Sequence, residues 1–585
     1  MSMPSQPWYR ELTRYHWFVL IVAALGWLFD TMDQQLFNFA RAPAMNELLA
    51  PAPGVPADDG DVAFYGGLAT SIFLIGWATG GLAFGVLGDR IGRAKTMLVT
   101  ILMYSIFTGI SAFSQSFWDF ALWRFLTGLG VGGEFAVGVS LVAEVMPERA
   151  RPFALGLLQA LSAVGNITAA VISIYIGHLD ETGVVGEYVL LGVTMTAWRL
   201  MFLVGTLPAL LAIVIRRRLK EPERWQATVA EGEAVKRGSY AELFGDPRWR
   251  KRAIVGMLLA SSGVIGLWGI GFFVFELVRP VFAEVYRAEA RARGDDGFDR
   301  DFVRQVLADP QALEGQDPAV KPSDLLGQED RYNGDPQEIF AAIVALRNEE
   351  EAVTEASALD KIDALRAAEK KPRQPQTAEE RARRLEYLQG APTAAGGEPA
   401  EHAARISTRA QTIRGSLTRW AGITGITLNV GAFLGIYVFS IATHYLGRRP
   451  AFAIAFVAAM LSTAMVFGYL DGSQAEVMGV KVFTDVFWMI PIMGFCQLSI
   501  FGGYAIYFPE LFPTRLRSTG ISFCYNVGRY VAASGPTTLG LLTSVVFADY
   551  DQPIRAAGIA MCSVFLLGLF VLPFAPETRG QPLPE

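Results

Sequence analysis

Twelve stretches of this sequence stay apolar for about 20 residues or more, the length of helix that crosses a bilayer core of roughly 30 Å. They lie near residues 16–38, 63–88, 96–114, 117–146, 153–178, 188–215, 253–282, 417–446, 450–470, 482–508, 518–547 and 555–575. Inside lipid every backbone N–H and C=O must find its partner within the protein, so runs of this length read as helices. The expectation is an all-α integral membrane protein with twelve transmembrane helices. Polar residues precede the first span and no small-residue cleavage site follows it, so that span reads as an uncleaved anchor.

Charge divides the chain into two materials. Residues 284–415 hold 19 Lys+Arg and 26 Asp+Glu, a net charge of −7, whereas the rest holds 31 and 30. That is an apolar body with one charged insert. Nothing is basic enough for a nucleic-acid partner. Cys496, Cys524 and Cys562 all fall in apolar runs, which excludes a disulfide scaffold. With the N-terminus inside, the inner loops and tails carry 23 basic residues and the short outer loops carry 3. Basic residues accumulate on the cytoplasmic side, so both termini are expected there, in a plasma (inner) membrane. The divisions expected are a cytoplasmic tail at 1–15, six helices at 16–220, an inner linker at 221–252 and helix seven at 253–282. A hydrophilic, helical, outside-facing insert at 283–415 separates helix seven from helices eight to twelve at 416–576. The cytoplasmic C-terminal tail is 577–585.

The chain also repeats itself. Glu144-x-x-Pro147-x-x-x-Arg151 returns as Glu510-x-x-Pro513-x-x-x-Arg517, Gly92-Arg93 as Gly447-Arg448, and Pro222-Glu223 as Pro576-Glu577. The offsets are 366, 355 and 354 residues, so three inner loops recur in order. Two related six-helix halves follow. Charged side chains at helix ends complement the unpaired backbone groups and the dipole there. Arginines at these ends would pair with carboxylates of neighbouring helices and join the inner side in one state of the molecule. Plain topology, which puts basic residues inside, accounts for the loop charge equally well.

The stretch Gly85-Val-Leu-Gly-Asp89-Arg90-Ile-Gly92-Arg93-Ala-Lys95 resembles the signature loop of the major facilitator superfamily. Arg124-x-x-x-Gly128-x-Gly130-x-Gly132-Gly133-Glu134 resembles helix four of its sugar-porter-like and metabolite–proton symporter branch, aromatic-acid symporters included. The likeness covers about residues 15–282 and 416–580. It implies two pseudo-symmetric six-helix bundles. Gly85, Asp89, Arg90, Gly92, Arg93, Glu144, Arg151, Glu510 and Arg517 would then be the gating, helix-end motifs. His444 departs from the pattern, standing where the second signature loop would carry Asp, and the insert has no counterpart.

Ionisable groups at membrane depth are costly and point to function. Counting about 1.5 Å per residue, Asp30 lies about 21 Å and Asp33 about 25 Å from the inner end of the first span. Glu134 lies about 18 Å and Arg124 about 33 Å from the inner end of the fourth, and Arg529 about 17 Å into the eleventh. Asn166, Trp268, Asn429 and Gln497 fall near the same level. Asp30 and Asp33 are three apart and share a helix face. Two such carboxylates in a poorly hydrated cavity repel and favour a bound proton, which is the chemistry of a proton relay. The resemblance implies the same, because its symporters carry Asp-x-x-Asp in helix one and an acid after the paired glycines of helix four. The proton-coupling set is therefore Asp30, Asp33, Glu134 and Arg124; a structural pairing of these acids with Arg124 or backbone is the alternative. Arg529 would hold a substrate carboxylate, or else Asp30 or Glu134. Asn166, Trp268, Asn429, Gln497 and Tyr525 complete the substrate-binding set.

Gly128-x-Gly130-x-x-Gly133 matches a dinucleotide fingerprint only in letters, since it lies within an apolar span; close helix packing explains it better. No metal-ligand spacing, cofactor motif, nucleotide-cradling loop or nucleophile–base set is present, so neither an enzyme nor an ATP-driven pump is expected. The reading is a secondary active transporter that moves a small polar metabolite with protons by alternating access. The lack of Gln in helix seven, around Ser261-Ser262-Gly263, together with Arg529 favours an organic acid over a sugar or polyol, the alternative substrate class. A transporter-like nutrient sensor is the rival of another kind. The partners are the small-molecule substrate, protons and the bilayer, with outer-surface contacts through the insert. In that insert Ile339, Phe340, Ile343, Val344, Leu346, Ile362 and Leu365 form the expected apolar core.

Overall fold

The computed structural model describes residues 7–49, 59–181, 188–230, 237–270, 354–368, 374–389, 399–477, 480–547 and 552–584. It also describes positions 185, 274, 277, 278, 281, 282, 285, 339, 342, 343, 345, 346 and 550. The chain divides into two compact units, Met1–Leu277 with Gly422–Glu585, and Val278–Ala421.

The first unit begins with a short 3-10 turn, Trp8–Glu11, and helices α1 (Arg14–Leu48), α2 (Asp59–Ile91), α3 (Arg93–Ser111), α4 (Phe117–Val145) and α5 (Arg151–Glu181). A hairpin of β1 (Val189–Leu190) and β2 (Val193–Thr194) precedes α6 (Ala197–Val204), α7 (Ala209–Arg218), α8 (Glu223–Ala230) and α9 (Tyr240–Gly245). The sixth span, expected from residue 188, therefore starts nine residues later. Leu191 and Gly192 both adopt positive φ, the two-residue turn that closes a hairpin. Helix α10 (Pro247–Gly269) follows.

The second unit contains α11 (Glu355–Ala367) and α12 (Ala378–Gln389). Ile339, Ile343, Leu346, Leu359, Ile362 and Leu388 are buried together, with Leu365 packed against them. Phe340 and Val344 lie outside the described residues. Thr354 caps α11 through a capping box with Ser357.

Helix α13 (Pro399–Leu446) has its apolar part at Gly422–Leu446. Helices α14 (Arg448–Tyr469), α15 (Asp485–Leu511), α16 (Arg517–Ala532), α17 (Gly535–Leu541), α18 (Pro553–Met561) and α19 (Val564–Val571) complete the chain, with a hairpin of β3 (Gln474–Val477) and β4 (Val480–Phe483) before α15. Among the described residues, 11 helical segments are long and apolar enough to cross a membrane. The stretch 518–547 is built differently, from α16, α17 and a π turn at Leu542–Val546. Pro536, at the start of α17, contributes no N–H to the preceding turn.

Small residues let the helices pack closely. A Cβ at Gly128 or Gly132 would run into the backbone oxygens of Phe73 and Trp77 on α2, and one at Gly431 or Gly435 into those of Pro491 and Phe495 on α15. The same α2–α4 seam is thus rebuilt as α13–α15 in the second half. This is the close-packing role read for the glycines of the fourth span.

Candidate transport site and inner latch

At the end of α2 the chain turns through Gly92 (φ 114°), and its counterpart Gly447 (φ 95°) does the same after α13. The turns expose the first amides of α3 and α14, and a glutamate caps each. Glu221 accepts from the N–H groups of Arg93, Ala94 and Lys95 (2.7, 3.2 and 3.1 Å). Glu577 accepts from those of Arg448 and Arg449 (3.0 and 3.1 Å). Arg93 pairs with Glu144 at 2.9 Å, and Arg448 with Glu510 at 2.6 Å. Arg151 donates to the Ala143 carbonyl and Arg517 to the Pro509 carbonyl. The two halves repeat these bonds position for position, except that Pro450, in the place of Lys95, has no N–H for Glu577 and that Arg448 reaches Glu510 through two nitrogens (3.0 and 2.6 Å).

One half also grips the other. The Asp89 carboxylate accepts from the backbone N–H groups of Ser518 and Thr519 (3.1 and 2.8 Å) and from the Thr519 hydroxyl (2.7 Å). A carboxylate from α2 thereby caps the N-terminus of α16, where the dipole favours negative charge. Glu144 holds Arg517 at 2.7 Å while pairing with Arg93, and Arg93 donates to the Thr514 carbonyl at 2.7 Å. Asp89, Arg93, Glu144 and Arg517 are all buried. Arg90 lies outside this cluster, donating to the Arg237 carbonyl at 3.4 Å. Gly85 packs against Ser522, again on α16.

Among the described residues the mirror position shows no such latch. His444 occupies the place of Asp89, and its ring lies 5.4 Å from Phe153. Opposite it, where α16 offers Ser518 and Thr519, α5 offers Pro152, which has no N–H, and Phe153, which has no hydroxyl.

Deeper in the molecule, Asp30 and Asp33 are fully buried, and among the described residues none of their four carboxylate oxygens has a hydrogen-bond partner within 3.5 Å. Their surroundings differ. Asp30 lies within electrostatic reach of Glu134 and of Arg529 on α16. Asp33 faces Arg124, and its Oδ1 would lie 2.8 Å from a Cβ at Gly205. Glu134 accepts from the Thr100 hydroxyl at 2.9 Å through Oε2, and its Oε1 rests in the space left by Gly26. Arg124 donates to Ser111 at 3.1 and 2.7 Å and to Thr127 at 3.1 Å, with Phe202 4.5 Å from its Cζ.

Arg529 is clamped by aromatic rings from both halves. Its Cζ lies 4.1 Å from the Trp77 ring and 4.2 Å from the Tyr525 ring. It donates through Nη1 to the Tyr525 carbonyl and the Asn526 side chain, and its buried Nε has no partner among the described residues. Tyr525 stacks on Phe135 at 4.1 Å, Phe135 meets Trp27 at 5.0 Å, and Trp77 meets Trp268 at 5.6 Å. Both Trp27 and Trp77 have buried indole N–H groups without a partner among the described residues. Buried donors and acceptors without a partner are what a polar ligand would complete.

Of the expected substrate groups, Tyr525, Arg529 and Trp268 meet on this aromatic line. Asn166 and Asn429 instead bond each other at 2.9 Å, joining α5 to α13. Gln497 donates to the Gly266 carbonyl at 3.1 Å within the second half. Trp27 and Trp77 escaped the sequence reading because tryptophan in an apolar span carries no charge signal. Gly26 escaped it because its role is the space it leaves. Among the described residues no group of three His, Cys, Asp or Glu side chains is placed to hold a metal ion.

Residues 23–291 match the family model of the Major Facilitator Superfamily. A putative metabolite transport protein of Haemophilus influenzae is 34% identical over 267 residues, 44% of this chain and 58% of that protein. The cis,cis-muconate transport protein of Acinetobacter baylyi is 31% identical over 208 residues, 35% of this chain and 46% of that protein. The chain thus spans about half the length of the curated relatives it matches. The solved proton:xylose symporter XylE superposes with a TM-score of 0.54 at 15% identity, covering 97% of this chain and 98% of XylE, a likeness of fold.

Proposed function

We propose that this chain, which belongs to the Major Facilitator Superfamily, carries a small organic acid across the membrane together with protons, by alternating access. The observation that carries the reading is the buried set of Asp30, Glu134 and Arg529, contributed by α1, α4 and α16. Arg529 supplies a fixed cation with an open Nε, and the rings of Trp77 and Tyr525 shield it from water. A carboxylate arriving there gains a charge-assisted hydrogen bond. The same anion repels Asp30 and Glu134 unless they carry protons, so substrate and proton enter together. Opening on the inner side hydrates the acids, frees the proton and releases the anion. Asp89 and Glu144 hold that side shut until then. Both termini face the cytoplasm, and the 283–415 insert faces outside. The muconate-named relative supports an acid as the substrate class.

Reconstituted protein tests this with benzoate, cis,cis-muconate and glucose under an imposed pH gradient. The acids accumulate and glucose does not. Asp30→Asn abolishes accumulation but keeps exchange, and Arg529→Gln weakens the acids by about 1.5–3 kcal/mol, roughly 10- to 150-fold. Glucose accumulation, or acid accumulation indifferent to both substitutions, refutes the reading.

A further inference from the structure

Helix α3 has no charged residue after Lys95, and the coupling scheme above gives it no part. Its hydroxyl groups are nevertheless arranged in a line. Thr100, Tyr104, Thr108 and Ser111 recur at intervals of four, four and three residues, which keeps them on one helical face. They climb about 16 Å along the axis. All four are fully buried. That face carries the contacts of Thr100 with Glu134 and of Ser111 with Arg124, both on α4, and its Thr108 meets Asp33 of α1 beside Gly205.

The lower end of the line is a two-way contact. The Thr100 hydroxyl lies 2.9 Å from Glu134 Oε2 and also 2.9 Å from the Met97 carbonyl oxygen. A hydroxyl has one hydrogen. It donates to Glu134 when that group is charged; when Glu134 is protonated it turns to Met97 and accepts from the carboxyl. The contact therefore survives in both protonation states.

The middle is open. Tyr104 Oη is buried, bonds none of the acids among the described residues, and lies beside the Ser105 side chain within electrostatic reach of Glu134, Asp30 and Asp33. Gly130 brings α4 so close that a Cβ there would lie 2.6 Å from the Tyr104 backbone nitrogen. Thr108 Oγ1 is likewise buried, and the acid it approaches is Asp33. Its side chain meets Asp33 beside Gly205, where an added Cβ would lie 2.6 Å from Thr108 Cγ2 and 2.8 Å from Asp33 Oδ1.

The upper end is closed. Ser111 gives its hydrogen to the Phe107 carbonyl and accepts two N–H groups from Arg124, so it has nothing left to relay. The guanidinium charge beside it also repels a proton.

Resting on the symport reading, we propose that Thr100, Tyr104 and Thr108 form a hydroxyl relay along α3 that passes a proton between the α1 aspartates and Glu134, with Tyr104 as the transfer group. In the transfer step Tyr104 Oη, which bonds neither acid in the closed structure, comes into contact with both; the protonated aspartate gives its hydrogen to Oη while the phenolic O–H hydrogen passes to the Glu134 carboxylate. One O–H bond forms and one breaks at the tyrosine, which ends neutral. The aspartate loses one proton and Glu134 gains it. Proton and substrate can then part company, since Glu134 lies off the Arg529 side of the cluster and against Gly26.

The test uses the full chain in proteoliposomes, with benzoate and cis,cis-muconate as probes. Uphill uptake driven by a pH gradient is compared with equilibrium counterflow, which needs no net proton movement. Tyr104→Phe, which removes only the hydroxyl, lowers uphill uptake by about 100-fold or more while counterflow persists. Thr108→Val shows the same split, and Thr108→Ser restores uphill uptake. Wild-type uphill uptake in Tyr104→Phe overturns the relay and leaves the symport reading standing. Equal losses in both assays for Tyr104→Phe, with Thr108→Ser no better than Thr108→Val, assign the line to packing and also overturn it. Wild-type protein that accumulates neither acid removes the symport reading itself, and the relay with it.

Discussion

Asp89→Asn is the sharpest probe of the inner latch. Asp89 makes three hydrogen bonds to α16, two to backbone N–H groups and one to the Thr519 hydroxyl, and all three exist only while the halves are joined. Asparagine keeps one acceptor oxygen and turns an NH2 group toward an amide that needs an acceptor. Hydrogen bonds to a charged group contribute about 1.5–3 kcal/mol each, and the retained oxygen recovers part of that sum. A net loss of about 2–3 kcal/mol from the inner-closed state follows, or about 30- to 150-fold in the population ratio. Arg93 loses its 3.0 Å contact with Asp89 but keeps Glu144, so the first half itself stays intact. The assay is a spin-label distance between Lys95→Cys and Lys251→Cys, both exposed and on opposite halves, after Cys496, Cys524 and Cys562 are replaced by Ala. The long-distance population should rise from minor to dominant. Arg90→Gln, whose one bond to Arg237 is 3.4 Å long, serves as the control and should leave the distribution in place. A distribution in Asp89→Asn that matches the control refutes the latch.

Further outcomes are open to measurement. Gly26→Val places atoms where Glu134 Oε1 now lies, so pH-driven uptake should fall while detergent-solubilised protein still elutes as a single folded species. His444→Asp should not create a second latch, because Pro152 and Phe153 give it no donors; the inner distance should match wild type. Burial pushes the Glu577 carboxyl up, but N–H groups of Arg448, Arg449 and Arg579 and the Arg448 charge outweigh it and hold it below the usual glutamate range. Its stabilisation is complete above the unfolded-state value and is lost as pH falls through the lower folded one. Glu577→Gln should therefore lower thermal stability at neutral pH and flatten the acid limb of the stability curve. Leu359→Ala, in the core of the Val278–Ala421 unit, should cost that unit about 2–5 kcal/mol, read as faster protease cleavage between residues 278 and 421.

Much of the architecture could be read from residue order. Apolar run length dictates transmembrane helices because lipid offers the backbone no partner, and the recurrence of Glu-x-x-Pro-x-x-x-Arg exposed the two halves. The rise per residue put Asp30, Glu134 and Arg529 well inside their apolar runs, and all three are buried. Local chemistry at 188–196 misled for a physical reason: an apolar hairpin with Gly192 at its turn has the composition of a span. The break in 518–547 likewise depends on where Pro536 falls within the helix, which mean apolarity does not register.

What residue order determined by itself was element type and the repeat, since these depend on properties carried along one chain segment. Only the tertiary structure decided which buried groups meet. Asp30 and Asp33 share a helix face, yet one is set among Glu134 and Arg529 and the other against Arg124 and Gly205. Asn166 and Asn429, 263 positions apart, bond to each other, and Asp89 caps a helix that begins 428 residues later. Such pairings arise from the packing of helices against one another, and the closeness set by Gly26, Gly130 and Gly205 is a property of two surfaces in contact, which a single stretch of sequence does not contain.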